Sequence, residues 1–217
     1  MSGYNGLLLT GGEGPNRKQL KAVITDPGLT VAADSGFDLA LGLGIIPDLL
    51  VGDLDSIKAS REYRNFPRER MVVYPQDKGK TDTEIGLEIL RERGCQRIIL
   101  AGGGGGRLDH ILGIVQLLER IDGPDIWLTS HERIEVIESI LEFSGKEGEI
   151  VSFFPLDTVV RGISSTGLKW PLDTMCWERG KQGVSGISNC VTSSEVRVSV
   201  DQGRLLMIKN FLEKIDG

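Results

Sequence analysis

Six short apolar runs separated by helical patterns occupy the first 130 or so residues. They are GLLLT (6–10), LTVAAD (29–34), DLLVGD (48–53), RMVVY (70–74), RIILAG (97–102) and DIWLT (125–129), each the length of a buried strand. The clearest helical segments between them are TDTEIGLEILRERG, from Thr81, and RLDHILGIVQLLERI, from Arg107. In the second, Leu108, Ile111, Leu112, Val115 and Leu118 fall on one stripe at helical spacing, as on the core-facing side of an amphipathic helix. Strands and helices alternating in this way build a mostly parallel sheet covered on both faces.

After about His131 the texture changes. RIEVIES, EIVSFFPL, SSEVRVSV and RLLMIKN alternate or run apolar over short lengths between Gly and Ser clusters, with no convincing helix. That pattern indicates a small all-β sandwich or barrel. LEFSGKEGE, near 141–149, reads as turn-rich. The expected division is an α/β domain over 1–132 and a β-sandwich domain over 133–217.

Composition narrows the function classes. The 217 residues are 40% hydrophobic and 26% charged, as in an ordinary soluble protein with a real core. A net charge of -6 argues against a nucleic-acid backbone as main partner, but leaves room for a phosphorylated small molecule carried by a divalent cation. MSGYNGLLLT has no basic region of the signal-peptide kind, and no apolar stretch approaches the roughly 20 residues of a membrane span. Cys95, Cys176 and Cys190 are odd in number and lack CxxC spacing, as expected of reduced thiols in the cytoplasm.

Ligands of an open α/β sheet bind beyond the carboxyl ends of its strands, and acidic residues gather there in this chain. Asp34 closes LTVAAD, Asp53 and Asp55 close DLLVGD, Asp77 and Asp82 follow RMVVY, and Asp109 follows the glycines after RIILAG. Any one of them is sufficiently explained as a cap or turn residue, and Thr81 with Glu84 forms a capping-box pattern. Four strand ends with the same chemistry are harder to explain so. Neighbouring carboxylates repel one another unless a cation holds them, and the hard oxygen-seeking cation that accompanies phosphates is magnesium. Asp53 and Asp55 therefore read as metal ligands in preference to caps.

AGGGGGRLDH supplies the other half of a phosphate site. Its five glycines, Gly105 and Gly106 the last, bare their N–H groups at the entry to a helix, whose N-terminus favours anions. Arg107 follows with a planar, two-pronged donor. The familiar nucleotide motifs fail. The first glycine of a Walker loop ending in Gly79–Thr81 would fall on Tyr74, and neither Gly102–Gly106 nor GGEG (11–14) completes GxGxxG. His110 and His131 are the only histidines, and neither lies in a nucleophile elbow. Phosphoryl-type transfer needs no protein nucleophile and relies on metal, positioning and positive charge.

AADSGFD, IIPDLLVGDLDSI, KTDTEIGLEIL, GGGGGRLDH, GLKWPL and SGISN together resemble the thiamin pyrophosphokinase family over nearly the whole chain. The resemblance implies a Rossmann-like α/β domain, a C-terminal β-sandwich and a homodimer with active sites between subunits. It implies ATP and thiamin as substrates, thiamin diphosphate and AMP as products, and Mg2+ as cofactor. Carried over by motif, Asp34, Asp53, Asp55 and Asp82 would gather the magnesium and the nucleotide phosphates. Arg107 and Asp109 would belong to the phosphate-handling edge. Ser188 and Asn189 would hydrogen-bond the thiamin ring, with Trp170 nearby either as a core aromatic or as a ligand contact. Trp127 and Trp177 are left to the core or its rim.

The sequence departs from the family at three points. Relatives often carry an acid two places before the TD threonine, where this chain has Gly79; either Asp77, close enough, substitutes for it, or Lys78 and Lys80 change how phosphate is held. Ser35 stands where a second glycine is common, and an aromatic near the last strand is replaced within GRLLMIKN. Two other functions fit the same motifs: a pyrophosphokinase acting on a hydroxymethyl pterin, and a sensor that binds Mg-nucleotide without turnover.

Overall fold

The computed structural model describes residues 5–58, 60–75, 77, 79–181 and 186–211. The chain divides into two compact units, with the break between His131 and Glu132.

All six expected apolar runs form strands in the first unit: β1 (Asn5–Leu9), β2 (Leu29–Ala33), β3 (Leu49–Gly52), β4 (Met71–Val73), β5 (Arg97–Ala101) and β6 (Ile126–Leu128). They pair in parallel in the order β6-β5-β1-β2-β3-β4. The helices are α1 (Arg17–Lys21), α2 (Gly36–Gly42), α3 (Ser60–Asn65), α4 (Asp82–Glu92) and α5 (Leu108–Glu119). Leu7, Leu9, Val31, Leu50, Ile98 and Leu100 are inaccessible to solvent, as strands covered on both faces require. Helix α4 lies over β1, β2 and β3, and at Gly86 it comes so near that a Cβ would sit 2.6 Å from Leu8 Cδ1.

The stripe expected to bury α5 holds only in part: Leu118 is fully buried and Ile111 and Val115 are half-buried. Ile114, Leu117 and Leu118 are buried, whereas Leu108 is 68% and Leu112 53% exposed. The reason lies in LDHILGIVQLLE itself: its apolar residues cover so much of the circumference that the spacing admits two stripes, and packing selects one.

The second unit contains only strands among its described residues. These are β7 (Glu132–Ile137), β8 (Ile140–Ser144), β9 (Ile150–Pro155), β10 (Val159–Val160), β11 (Ser164–Thr166), β12 (Trp177–Glu178), β13 (Asn189–Cys190), β14 (Glu195–Ser199) and β15 (Leu205–Asn210). Antiparallel pairs order them β13-β9-β15-β7 in one sheet and β11-β14-β8 in another, with β10 and β12 paired apart. Phe153 and Met207 from the first sheet and Val196 and Val198 from the second meet in one core with Ile163, Leu172 and Trp177. That is a sandwich. The segment read as turn-rich begins with a strand, β8, whose Leu141 and Phe143 pack on this core; only Gly145–Glu149 turns.

Candidate active site

The strand order of the first unit reverses at β1. From there the chain proceeds outward through β2, β3 and β4, while β5 and β6 lie on the other side. Loops leaving β1 and β5 at their carboxyl ends therefore diverge and open a crevice. A cleft of about 1370 Å³ occupies this position, lined by the loops after β1, β2, β3 and β5, by the first turn of α4 and along α5 as far as Arg120.

Its acidic wall is built at the ends of β2 and β3. One carboxylate oxygen from each of Asp34, Asp53 and Asp55 lies within 4.8 Å of the others. Leu54 explains how two acids one residue apart reach the same place. It adopts φ +64 and buries its side chain among Ala32, Phe37, Leu50 and Phe66, so the turn is pegged to the core. A left-handed leucine is strained, and burial of the isobutyl group offsets that strain. Asp34 is also left-handed, with φ +47; its N–H donates to Val51 O at 2.8 Å, fastening it to the end of β3.

Asp82 stands beside this group. A Cβ on Gly52 would lie 2.9 Å from Asp82 Oδ1 and 3.3 Å from Asp34 Cβ, and Gly52 has φ +141. Only glycine leaves that gap open. The donor set of carboxylate oxygens around a kept gap suits a hard cation such as magnesium. Asp77 is not brought into this group, whose carboxylates are those of Asp34, Asp53 and Asp55.

The glycine run is braced from both sides. Gly102 N–H donates to Leu128 O at 3.0 Å, Gly103 N–H to Gly11 O at 2.8 Å, and Gly104 N–H to Glu13 O at 2.9 Å. Glu13 N–H returns a bond to Gly104 O at 2.7 Å, and Trp127 Nε1 donates to Gly102 O at 2.7 Å. Gly102 must be glycine because a Cβ would strike Thr10 O at 2.1 Å. The run is thus a fixed shelf, and its first three N–H groups hold the shelf together. Gly105 and Gly106 are the exposed glycines left to meet an anion, at the start of α5.

Arg107 caps the run and is 72% exposed. Its Nη2 meets Asp109 Oδ2 at 2.6 Å and its Nε meets Oδ1 at 3.1 Å. The pairing raises the Arg107 pKa and holds the Asp109 carboxyl below its ordinary value, chiefly through the side-chain hydrogen bond. At the opposite wall, Thr81 Oγ1 accepts from Glu84 N–H at 3.1 Å and caps α4. The Glu84 carboxylate takes Arg120 Nη1 at 2.7 Å, so that half of the expected capping box is diverted across the cleft. His110 lines the cleft near the start of α5.

The remaining candidates lie in the second unit, described by itself. Ser188 is exposed, has φ +56 and donates its N–H to Ser152 Oγ at 3.0 Å. Asn189 is 2% exposed. Its Oδ1 accepts from Trp170 N–H at 3.2 Å and Cys190 N–H at 2.8 Å, and its Nδ2 donates to Trp170 O at 2.7 Å. Trp170 is 51% exposed, which removes the core-aromatic alternative, while Trp127 and Trp177 are buried.

With this geometry, comparison with known proteins is decisive. The thiamin pyrophosphokinase catalytic-domain model matches residues 20–128, and the vitamin B1 binding-domain model of the same family matches residues 136–205. The chain belongs to the thiamin pyrophosphokinase family. It is 30% identical over 189 residues to the thiamine pyrophosphokinase of Bacillus subtilis (strain 168), covering 84% of this chain and 87% of that protein. The crystal structure of the thiamin pyrophosphokinase from Geobacillus thermodenitrificans superposes with a TM-score of 0.76 at 28% identity, covering 96% of this chain and 98% of that one. The fold is also that of the Bacillus subtilis crystal structure, with a TM-score of 0.80 at 24% identity over 96% of this chain and 100% of the other.

For a thiamin pyrophosphokinase family member, motif reading finds the acids and the glycine run but overlooks what supports them. Thr10, Gly11, Gly12 and Glu13 line the cleft and brace the shelf, yet GGEG matches no nucleotide motif. The available signal was a second glycine cluster at the end of β1, the neighbour of β5. Ser35 and Asp38 also line the cleft; Asp38 Oδ2 accepts from Lys58 N–H at 2.9 Å and so ties the acidic turn to α2.

Proposed function

We propose that the chain transfers a diphosphoryl group from ATP to the hydroxyl of thiamin, giving thiamin diphosphate and AMP. The observation that carries this reading is the convergence of Asp34, Asp53 and Asp55 beside a braced glycine shelf at the switch point of the sheet. The match of residues 136–205 to a vitamin B1 binding domain supports thiamin as the acceptor.

In this reading Asp34, Asp53 and Asp55 would hold Mg2+, with Asp82 completing the acidic edge. When bound, the ion supplies neutralising charge and orients the triphosphate. Gly105 and Gly106 N–H groups and the start of α5 receive phosphate oxygens. Arg107 exchanges Asp109 for the transferring group, offering its two parallel donors where charge grows. A bond forms between the thiamin hydroxyl oxygen and the β-phosphorus. The bond from that phosphorus to the oxygen bridging the α-phosphorus breaks, AMP leaves with that oxygen, and the hydroxyl proton passes to the acidic edge.

The same reading has the chain working in the cytoplasm as a homodimer with active sites at the subunit interface. Unpaired Cys95, Cys176 and Cys190 support a reducing compartment, and the outward apolar side of α5, with Leu108 and Leu112, supports a covered face. No described helix is long and apolar enough to cross a membrane.

The test is incubation with ATP, Mg2+ and either thiamin or a hydroxymethyl pterin, followed by identification of the products. AMP with thiamin diphosphate is expected. AMP with a pterin diphosphate, or no turnover with either acceptor, would overturn the assignment.

A further inference from the structure

We infer that Asn189 acts as a positioning residue whose buried side chain clamps the backbone of Trp170 and so presents the exposed indole to thiamin. This rests on the reading of the chain as a thiamin-using enzyme and changes the role of Asn189 within it. Motif transfer casts Asn189 as a direct ligand of the thiamin ring. Its geometry points elsewhere. Both acceptor positions of Oδ1 are filled by Trp170 N–H and Cys190 N–H, and Nδ2 donates to Trp170 O at 2.7 Å. A primary amide offers two donors and two acceptor positions, so at most one N–H remains, on a residue that is 2% exposed.

The position of Asn189 explains the arrangement. Leu168 bridges Val191, and Lys169 N–H donates to Cys190 O at 2.8 Å, so the segment entering Trp170 runs antiparallel to the end of β13. Pro171 follows and has no N–H with which to extend that pairing. The Asn189 amide takes over at this point, offering Trp170 a donor and an acceptor as a neighbouring strand would. Beyond the proline, Leu172 N–H is caught by Ser165 Oγ at 2.8 Å. Trp170 is therefore pinned on both sides while its indole remains 51% exposed, with Lys169 Nζ 4.7 Å from the ring centroid. A fixed backbone carrying a half-exposed indole is a preorganised platform for a flat ring, and the pyrimidine of thiamin offers one; the Lys169 ammonium already over the indole disfavours the cationic thiazolium there.

The test is a double-mutant cycle on the full chain, with thiamin affinity read by calorimetry and the KM for thiamin read beside kcat. N189A and W170A are each expected to weaken thiamin binding by about tenfold, the scale of a lost buried hydrogen bond or ring contact. The decisive protein is the double variant. If Asn189 acts through Trp170, N189A added to W170A costs less than about twofold, because coupled residues do not add. Full additivity means a direct contact with thiamin and overturns the inference, as does unchanged affinity in either single variant. N189D keeps an acceptor for Trp170 and Cys190 N–H but turns a buried carboxylate oxygen toward Trp170 O in place of the Nδ2 donor, so it breaks the clamp and adds a charge. N189S carries the test if N189A does not fold, with the same less than about twofold cost expected when it is added to W170A.

Hydrogen exchange at the Trp170 and Cys190 amides reads the clamp without substrate. Faster exchange at both in the variant supports it, and unchanged exchange overturns it even if the wild-type protein fails to use thiamin. That last failure counts against the functional reading alone.

Discussion

Leu54 shows how a single apolar side chain makes an acidic site. Buried beneath the turn, it leaves Asp53 and Asp55 on the outer side, where they meet Asp34. Asp53→Asn or Asp55→Asn is expected to lower turnover by roughly a hundredfold, a loss of about 3 kcal/mol of transition-state charge stabilisation. Thermal unfolding should be unchanged, since these carboxylates do not pack in the core; near-wild-type turnover at saturating Mg2+ contradicts the ligand assignment. Arg107 makes a different kind of claim. Arg107→Lys keeps the charge and loses the paired donors, so kcat should fall more than the KM for ATP rises. A pure KM effect would reduce Arg107 to a ground-state contact. The Arg107–Asp109 pair holds from above the ordinary carboxyl pKa of Asp109 down to its lowered folded value, and is lost as pH falls through that value. The pair should therefore persist across the neutral range and open only in acid, as read by the NMR signal of Arg107 Nε.

Among the elements, what is local in origin was legible and what is long-range was not. Strands β1, β2, β3, β4, β5 and β6 are readable because a doubly covered parallel strand must be apolar throughout, and helix α4 because Thr81 announces its start. Replacing Thr81 by Ala should destabilise the protein by about 1 kcal/mol through the lost cap, measured by denaturant unfolding. No change there would mean that the diverted Glu84–Arg120 contact, and not the cap, secures the helix. The buried face of α5 was legible only in part because an apolar helix offers more than one stripe. Strand β8 was missed because its alternation, Leu141 and Phe143 inward, is short and runs straight into a glycine turn. The bracing of Gly103 and Gly104 by Gly11 and Glu13 joins segments about 90 residues apart along the chain, beyond any window of local pattern. The three bonds of Asn189 are likewise absent from its motif: SGISN displays an amide but not where it is spent.

For the molecule as a whole, the proposed chemistry falls to the α/β unit, whose strand order opens a crevice at β1 and β5, and the proposed acceptor recognition to the β unit. The central claim is that two phosphoryl groups move together in one step. Following ATP labelled at the β-phosphorus through a single turnover with thiamin and Mg2+ tests it directly. The account predicts that all transferred label appears in thiamin diphosphate, that unlabelled AMP forms at the same rate, and that neither thiamin monophosphate nor ADP accumulates at any time. Label retained in ADP, with thiamin monophosphate formed, would contradict it.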